Sequence, residues 1–569
     1  MTRRANYVIL ALLLAAGSPA AAASAKKDVL LRALKDELAR SFPVLRGAET
    51  APLYYMGYEA RDTRTYDLAA FLGAVRSENE RHSRHLDVDM RVGDYTLDST
   101  HQFKGNNAFR EDAGNAVTSL PVEDDPASLR AGIWMHTDLA YKTAQNRYLK
   151  VRTNKTVTAE EEDPSDDFSR EEPARHYDVT DMPLIDKEEW RSRLRRLSAA
   201  FKKHDFLIHS GVHFSVRTEN RYIVNSEGTE VVTGNSYIRL TYTLLARTED
   251  GMDLDRFRNY DAVRVRDLPS DDKILRDIED SIAELAALYR APIVQPYTGP
   301  AIIRNRAAAV FFHEILGHRL EGHRQKLEDE GQTFAKKLGQ PITADFISVY
   351  DDATLERFAG QSLRGFYRYD DEGVEAREVT LVKDGVLKGF LLSRSPIKGF
   401  ANSNGHGRRG EGQEVTARMG NTRVHASKTV TYTRLREMLI EEIKRQGKPY
   451  GLIFEDIGGG FTNTGRSGAQ SFKVLPKLVY RVYPDGRPDE AVRGADIVGT
   501  PLNSFAKILA AADDYAVFNG TCGAESGWVP VSGVAPSLLI AEVEVEKNLK
   551  NSARPPILPS PHHDGRTAP

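Results

Sequence analysis

Cysteine is almost missing from this chain. Cys522 is the only one in 569 residues, which excludes an intramolecular disulfide and a C-x-x-C redox centre. Charge of one sign is also lacking: 78 Lys and Arg stand against 81 Asp and Glu, a net −3. That balance argues against a protein that binds nucleic acid along its whole surface. Beyond the N-terminus no apolar run is long enough for a stable membrane span. No repeat recurs at a solenoid period. Neither G-x-S-x-G nor G-x-x-x-x-G-K-[ST] occurs. GHGRRG at 405–410 matches G-x-G-x-x-G, but no clean strand precedes it and no apolar helix follows, so it does not read as a dinucleotide site.

The N-terminus reads as a secretory signal over residues 1–25. Arg3 and Arg4 give a positive start, an apolar run covers 7–16, and small residues lead to Ala23 and Ala25. The expected location is therefore outside the cytoplasm, and periplasmic in a cell with two membranes. Export sharpens the question of Cys522. A lone thiol in an oxidising compartment is either buried and inert or held as a metal thiolate.

With 40% hydrophobic residues over 569 positions, more than one core is expected. The predicted organisation is an α+β fold with mixed sheets in two domains, 26–290 and 291–548, followed by a disordered tail at 549–569 that includes His562-His563. Helices are predicted at 26–40, 190–203, 271–289 and 432–446, and a single helix at 302–328. Strand patterns run through 53–102, 213–216, 237–242 and 527–547, with a hairpin turning at Asp384-Gly385. The segment 159–173 (AEEEDPSDDFSREEP) is acidic and broken by proline, and reads as an exposed loop.

The sequence H-E-I-L-G-H at 313–318 carries most of the chemistry. Two imidazoles with a carboxylate beside the first make a metal site with its own general base. In H-E-x-x-H the rings sit four apart on one helical face. Here they sit five apart, which turns the second ring about 140° from the first in a regular helix. A one-residue π-bulge near Gly317 is expected to restore the shared face.

Several separated segments resemble the TldD/PmbA family of zinc metallopeptidases. They are HEILGHRLEG (313–322), DDEGVEAREVTLVKDGVLKGFLLSR (370–394), ARMGNT (417–422), IGGGFTNTGRSGAQSF (457–472) and GTCGAESGWVPVSGVAPSLLI (520–540). The resemblance is firm over 293–546 and weaker before it. It implies Zn²⁺ held by His313, His318 and Cys522 in the C-terminal domain, with Glu314 as general base. It also implies a peptide or unfolded-protein substrate and a dimer, either of two copies or with a family paralogue. The chain departs from the family in having His323 where an acidic residue is common, and in its signs of export.

Other positions stay open at this level. Glu321 either orients an imidazole or faces solvent. His323 is a neighbour of the site or a rival third ligand. Gly458, Gly459 and Gly460 either border an extended substrate peptide or make a tight turn. Asn421 and Arg418 either shape the cleft or serve the structure. Besides a peptidase, two other functions fit: a zinc-stabilised assembly subunit that hydrolyses nothing, and a zinc amidase acting on cell-wall fragments.

Overall fold

The computed structural model describes residues 25–558 except 26, 49–51, 103–117, 156–162, 328–329, 331–332, 335, 466–471, 501–503, 549–553 and 557. The expected signal peptide up to residue 24, positions 159–162 of the acidic loop, and most of the expected tail with His562-His563 lie outside the described residues. Among the described residues no helix is long and apolar enough to cross a membrane.

The N-terminal half runs α1 (Val29–Arg46), β1 (Leu53–Phe71), β2 (Ala74–Val92), β3 (Thr118–Leu120), α2 (Pro126–Lys155), β4 (Arg175–Asp178), α3 (Lys187–Ala199), β5 (Leu207–Asn225), β6 (Glu230–Arg247), β7 (Asp253–Ala262) and α4 (Asp271–Arg290). The sheet order is β3-β2-β1-β5-β6-β4, with β7 also on β6. Side chains alternate across a strand, so one parity faces each side. On β1 the even positions Met56, Tyr58, Ala60, Tyr66 and Leu68 are buried in apolar clusters. Helices α1 and α2 cover one end of this face, and α3 and α4 cover the other. The odd parity carries Glu59 and Arg61, paired in register with Asp87 and Arg221 of neighbouring strands. This polar face meets the C-terminal half, where Arg409 donates to Glu59 (2.9 Å) and Arg221 pairs with Asp371.

Local signals explain the helix ends. Asp28 accepts from the Leu31 N–H at 2.9 Å and starts α1. Asp186 does the same for Glu189 at 3.0 Å, so α3 begins three residues before Trp190. The last four residues of the helix expected to 203 tighten into a 3₁₀ turn, Ala200–Lys203. Helix α1 runs on past 40 to Arg46.

The C-terminal half contains β8 (Tyr297–Ile303), α5 (Asn305–Ile315), β9 (Ile347–Asp352), β10 (Glu378–Lys383), β11 (Val386–Leu387), β12 (Asn421–Ala426), α6 (Tyr432–Arg445), β13 (Gly451–Thr462), β14 (Phe472–Val482), β15 (Glu490–Val492), β16 (Ala495–Gly499), β17 (Ile508–Ala511), β18 (Ala516–Ala524), β19 (Gly527–Ala535) and β20 (Leu538–Lys547), besides shorter pairings. Strands β13, β8, β20, β16 and β14 pair in turn, and β14 pairs back to β13, which closes a ring. A second sheet has the order β11-β10-β9-β12-β19-β18. The β10–β11 turn is the hairpin at Asp384-Gly385. Both residues have positive φ (48° and 78°), which Asp-Gly accommodates.

The acidic segment is only partly exposed: Pro164, Asp166, Arg170, Glu172 and Pro173 face solvent, but its middle does not. Over 163–173 it lies as a strap between the two halves, with Asp167, Phe168 and Ser169 buried. The Phe168 ring is sandwiched by the guanidinium groups of Arg91 (3.6 Å) and Arg394 (3.9 Å). Asp167 accepts from the Asp98 N–H at 2.9 Å, and the Lys326 ammonium donates to the carbonyls of Ser165 and Asp166, both at 2.9 Å. The run of acids suggested solvation, but the phenylalanine among them decides the placement.

Candidate metal centre

Helix α5 is buried on every side from Ala307 to Phe312. Ala307 to Phe312 and Ile315, His313 apart, are at most 2% exposed except Glu314 at 7%, so the helix sits inside the molecule. It packs between the closed ring and the second sheet, with Ala309 against Gly533 of β19.

The helix expected over 302–328 is not continuous, and no π-bulge forms. Residues 302–303 belong to β8, and α5 ends at Ile315. A 3₁₀ turn, Gly317–Leu320, follows, and then a single helical turn, His323–Lys326. Two contacts account for the break. A Cβ on Gly317 would lie 2.0 Å from the Met419 sulfur, so the chain needs glycine there to turn against Met419. The Arg319 guanidinium donates to the Glu314 and Ile315 carbonyls (3.2 and 3.3 Å) and so partners groups at the helix end.

The break brings the two rings together. The centroids of His313 and His318 are 5.0 Å apart. Cys522, on β18, places its sulfur 3.1 Å from His313 Nε2 and 3.3 Å from His318 Nε2. The third donor thus arrives from the far end of the second sheet. Glu321 is fully buried and lies 3.2 Å from His318 Nδ1; a proton shared there leaves Nε2 as the free donor atom.

The charges reinforce one another. Burial raises the Cys522 thiol, but the His318 and His313 rings overcome it and hold the thiol well below its ordinary range. Burial lowers both imidazoles, yet the sulfur holds His313 above the usual range and, with Glu321, holds His318 well above it. Glu314 is raised, chiefly by burial. The thiolate needed for a metal ligand is therefore favoured within the site itself.

Over residues 296–547 the chain matches the family description "PmbA/TldA metallopeptidase C-terminal domain", and over 177–288 "PmbA/TldA metallopeptidase central domain". The chain belongs to the TldD/PmbA metallopeptidase family. A metalloprotease of Methanocaldococcus jannaschii is 29% identical over 231 residues, 40% of this chain and 47% of that protein. The metalloprotease TldD homolog of Haemophilus influenzae is 28% identical over 250 residues, 43% and 48% of the two chains. The zinc metalloprotease TldD homolog of Saccharolobus solfataricus is 24% identical over 340 residues, 56% and 67%. The chain spans about half the length of the first two of these relatives. Among solved structures, TldE from Thermococcus kodakarensis superposes with a TM-score of 0.58 at 15% identity, covering 90% of this chain and 100% of that one. That likeness is one of fold, and the fold is α+β.

Around the centre of this TldD/PmbA chain, the remaining candidates separate. Gly460 lies against the general-base candidate: a Cβ there would sit 2.8 Å from Glu314 Cγ and 2.9 Å from the Lys473 carbonyl oxygen. Gly458 faces Lys477, and Gly459 faces open space where the β13–β14 register shifts. Asn421 is a correction to the cleft reading. Its Nδ2 donates to the Asp352 and Leu355 carbonyls, both at 3.0 Å, and the residue is 2% exposed, so it braces a loop instead of facing substrate. His323 pairs with Glu525, apart from the His313–His318–Cys522 group. Arg324 joins Glu321 (3.0 Å), Glu330 (2.8 Å) and Glu525 (2.7 Å). That Arg319 ends the helix and that Arg324 closes this ion-pair network was not legible from the sequence, because neither role follows a local pattern.

Proposed function

We propose that this protein is an exported zinc metallopeptidase that hydrolyses peptide bonds in peptides or unfolded protein segments. One observation carries the reading: two imidazole nitrogens and a cysteine sulfur converge, and Glu314, which follows the first histidine in sequence, is buried within electrostatic reach of all three. Two nitrogens and one sulfur suit zinc, and three protein ligands leave a fourth position open, as catalytic sites require. Tetrahedral zinc separates such N and S atoms by about 3.5 Å. The observed 3.1 and 3.3 Å need only a few tenths of an ångström of opening, within side-chain movement. The family relation and the name of the Saccharolobus relative agree with this donor set.

When bound, zinc supplies a Lewis acid for the scissile carbonyl and acidifies water at its open position. The rest is the work of this chain. Glu314, whose carboxyl burial pushes above its ordinary range, accepts a proton from the attacking water and returns it to the leaving amine. Glu321 holds His318 in one orientation. Gly460 leaves room for the Glu314 carboxylate. A centre that served only structure would have no use for a carboxylate in this place. The N-terminal residues motivate the exported location, and the TldE likeness motivates a pairing of two copies or of this chain with a paralogue.

Metal analysis paired with a digest of casein, short peptides and muropeptides tests the reading. Zinc near one equivalent with cleavage of the peptides supports it. Muropeptide cleavage alone would replace the substrate class, and a zinc-loaded protein that cuts nothing would leave an assembly role.

A further inference from the structure

We propose that Arg418 is a positioning residue that tunes the metal through the sulfur of Cys522, an inference that rests on the zinc reading above. Arg418 is fully buried. One terminal nitrogen donates to the Cys522 sulfur at 3.1 Å and to the Cys522 carbonyl at 3.0 Å. The other donates to Ser526 Oγ at 2.8 Å and the Gly527 carbonyl at 3.1 Å, which fixes the group in the β18–β19 turn. Its Nε lies 3.3 Å from Glu321 Oε1, and Glu321 holds His318. Arg418 thus holds Cys522 by hydrogen bonds and faces, as an ion pair without a hydrogen bond, the Glu321 carboxylate that holds His318.

The contact to sulfur has a chemical effect beyond support. A thiolate gives a metal more charge than an imidazole does, and so weakens its Lewis acidity. A charged N–H donating to that sulfur draws part of the charge back. Arg418 thus lets the site use a thiolate while keeping an electrophilic ion. Arg324 provides the internal comparison, because it donates to the same Glu321 but no contact joins it to Cys522.

The test uses full-length protein saturated with Co²⁺, whose thiolate-to-cobalt charge-transfer band reports charge on the sulfur. Arg418→Gln and Arg418→Met are expected to move the band to lower energy and to weaken zinc binding by about 10–100-fold. Arg324→Met is expected to leave the band in place. An unmoved band in a folded Arg418 variant overturns the proposal. So does a folded variant that cannot be saturated, or failure of both variants to fold, since either makes Arg418 a scaffold only. A wild-type protein that binds neither cobalt nor zinc sinks the zinc reading itself.

Discussion

The Nε2 of His318 and the sulfur of Cys522 stand 3.3 Å apart across 204 residues of sequence. Each shifts the other: the rings hold the Cys522 thiol well below its ordinary range, and the sulfur holds both imidazoles above theirs. Under the proposed function, a bound metal ion replaces the protons that this trio otherwise shares.

Three substitutions separate holding the metal from using it. Glu314→Gln is expected to keep zinc and lose about 10²–10⁴-fold in kcat, the usual size of a general-base contribution. Cys522→Ser and His318→Ala are expected to lose zinc and activity together. Zinc stoichiometry by plasma mass spectrometry, beside turnover of a fluorogenic peptide, checks all three. Full activity in Glu314→Gln would falsify the assignment of the base.

Acid is expected to release the metal. In the metal-free protein both imidazoles are held above their ordinary range, while the Cys522 thiol is held below its own. As pH falls through the raised imidazole values, protons compete for Nε2 of both rings and zinc affinity drops. The thiol, held well below its ordinary range, contributes less to that loss than a free thiol would. Chelator competition from about pH 8 to about pH 5 measures the slope. An affinity that stays flat across that window would contradict the shared-proton picture.

Adding one methyl at Gly460 is expected to displace the base without touching the ligands. The Cβ would meet Glu314 Cγ at 2.8 Å and a backbone oxygen at 2.9 Å. Gly460→Ala should therefore keep zinc and lose at least about tenfold in kcat through misplacement of the carboxylate. Unchanged kcat would show that the strand yields.

The strap is expected to hold the two halves together. Phe168→Ala removes a ring clasped by Arg91 and Arg394 and should cost about 3–5 kcal/mol, the range for a buried phenylalanine. Urea unfolding followed by fluorescence and circular dichroism reads the loss. A change under about 1 kcal/mol would mean that the strap is only laid on the surface.

Much of the architecture was legible because it follows local rules. The amphipathic stripes of α4 and α6 and the Asp384-Gly385 turn are such cases. Helix α2 was not legible, since Trp134, Met135, Leu139 and Leu149 are exposed and blur the stripe of buried residues from Leu129 to Val151. The H-E-x-x-x-H spacing posed the right geometric problem, but its solution depended on Met419, which is distant in sequence and occupies the place of a Gly317 side chain. The acids of 159–173 suggested solvent exposure, and Phe168 could be placed only once Arg91 and Arg394 were seen on either side of it. Arg418 stands out in the sequence within ARMGNT, but its role could not be read there, because that role consists of the atoms it lies between.

Strand β18 lies near the end of the described chain, so the proposed centre is completed late in synthesis. A polypeptide that has emerged from the ribosome only as far as β16 carries the two imidazoles of α5 but not the sulfur of Cys522. Under the proposed function, such an unfinished chain cannot assemble the hydrolytic centre, even though its own unfolded segments are substrates of the proposed kind. Under that same function, the late strand keeps an unfinished chain from cutting itself without a separate inhibitor.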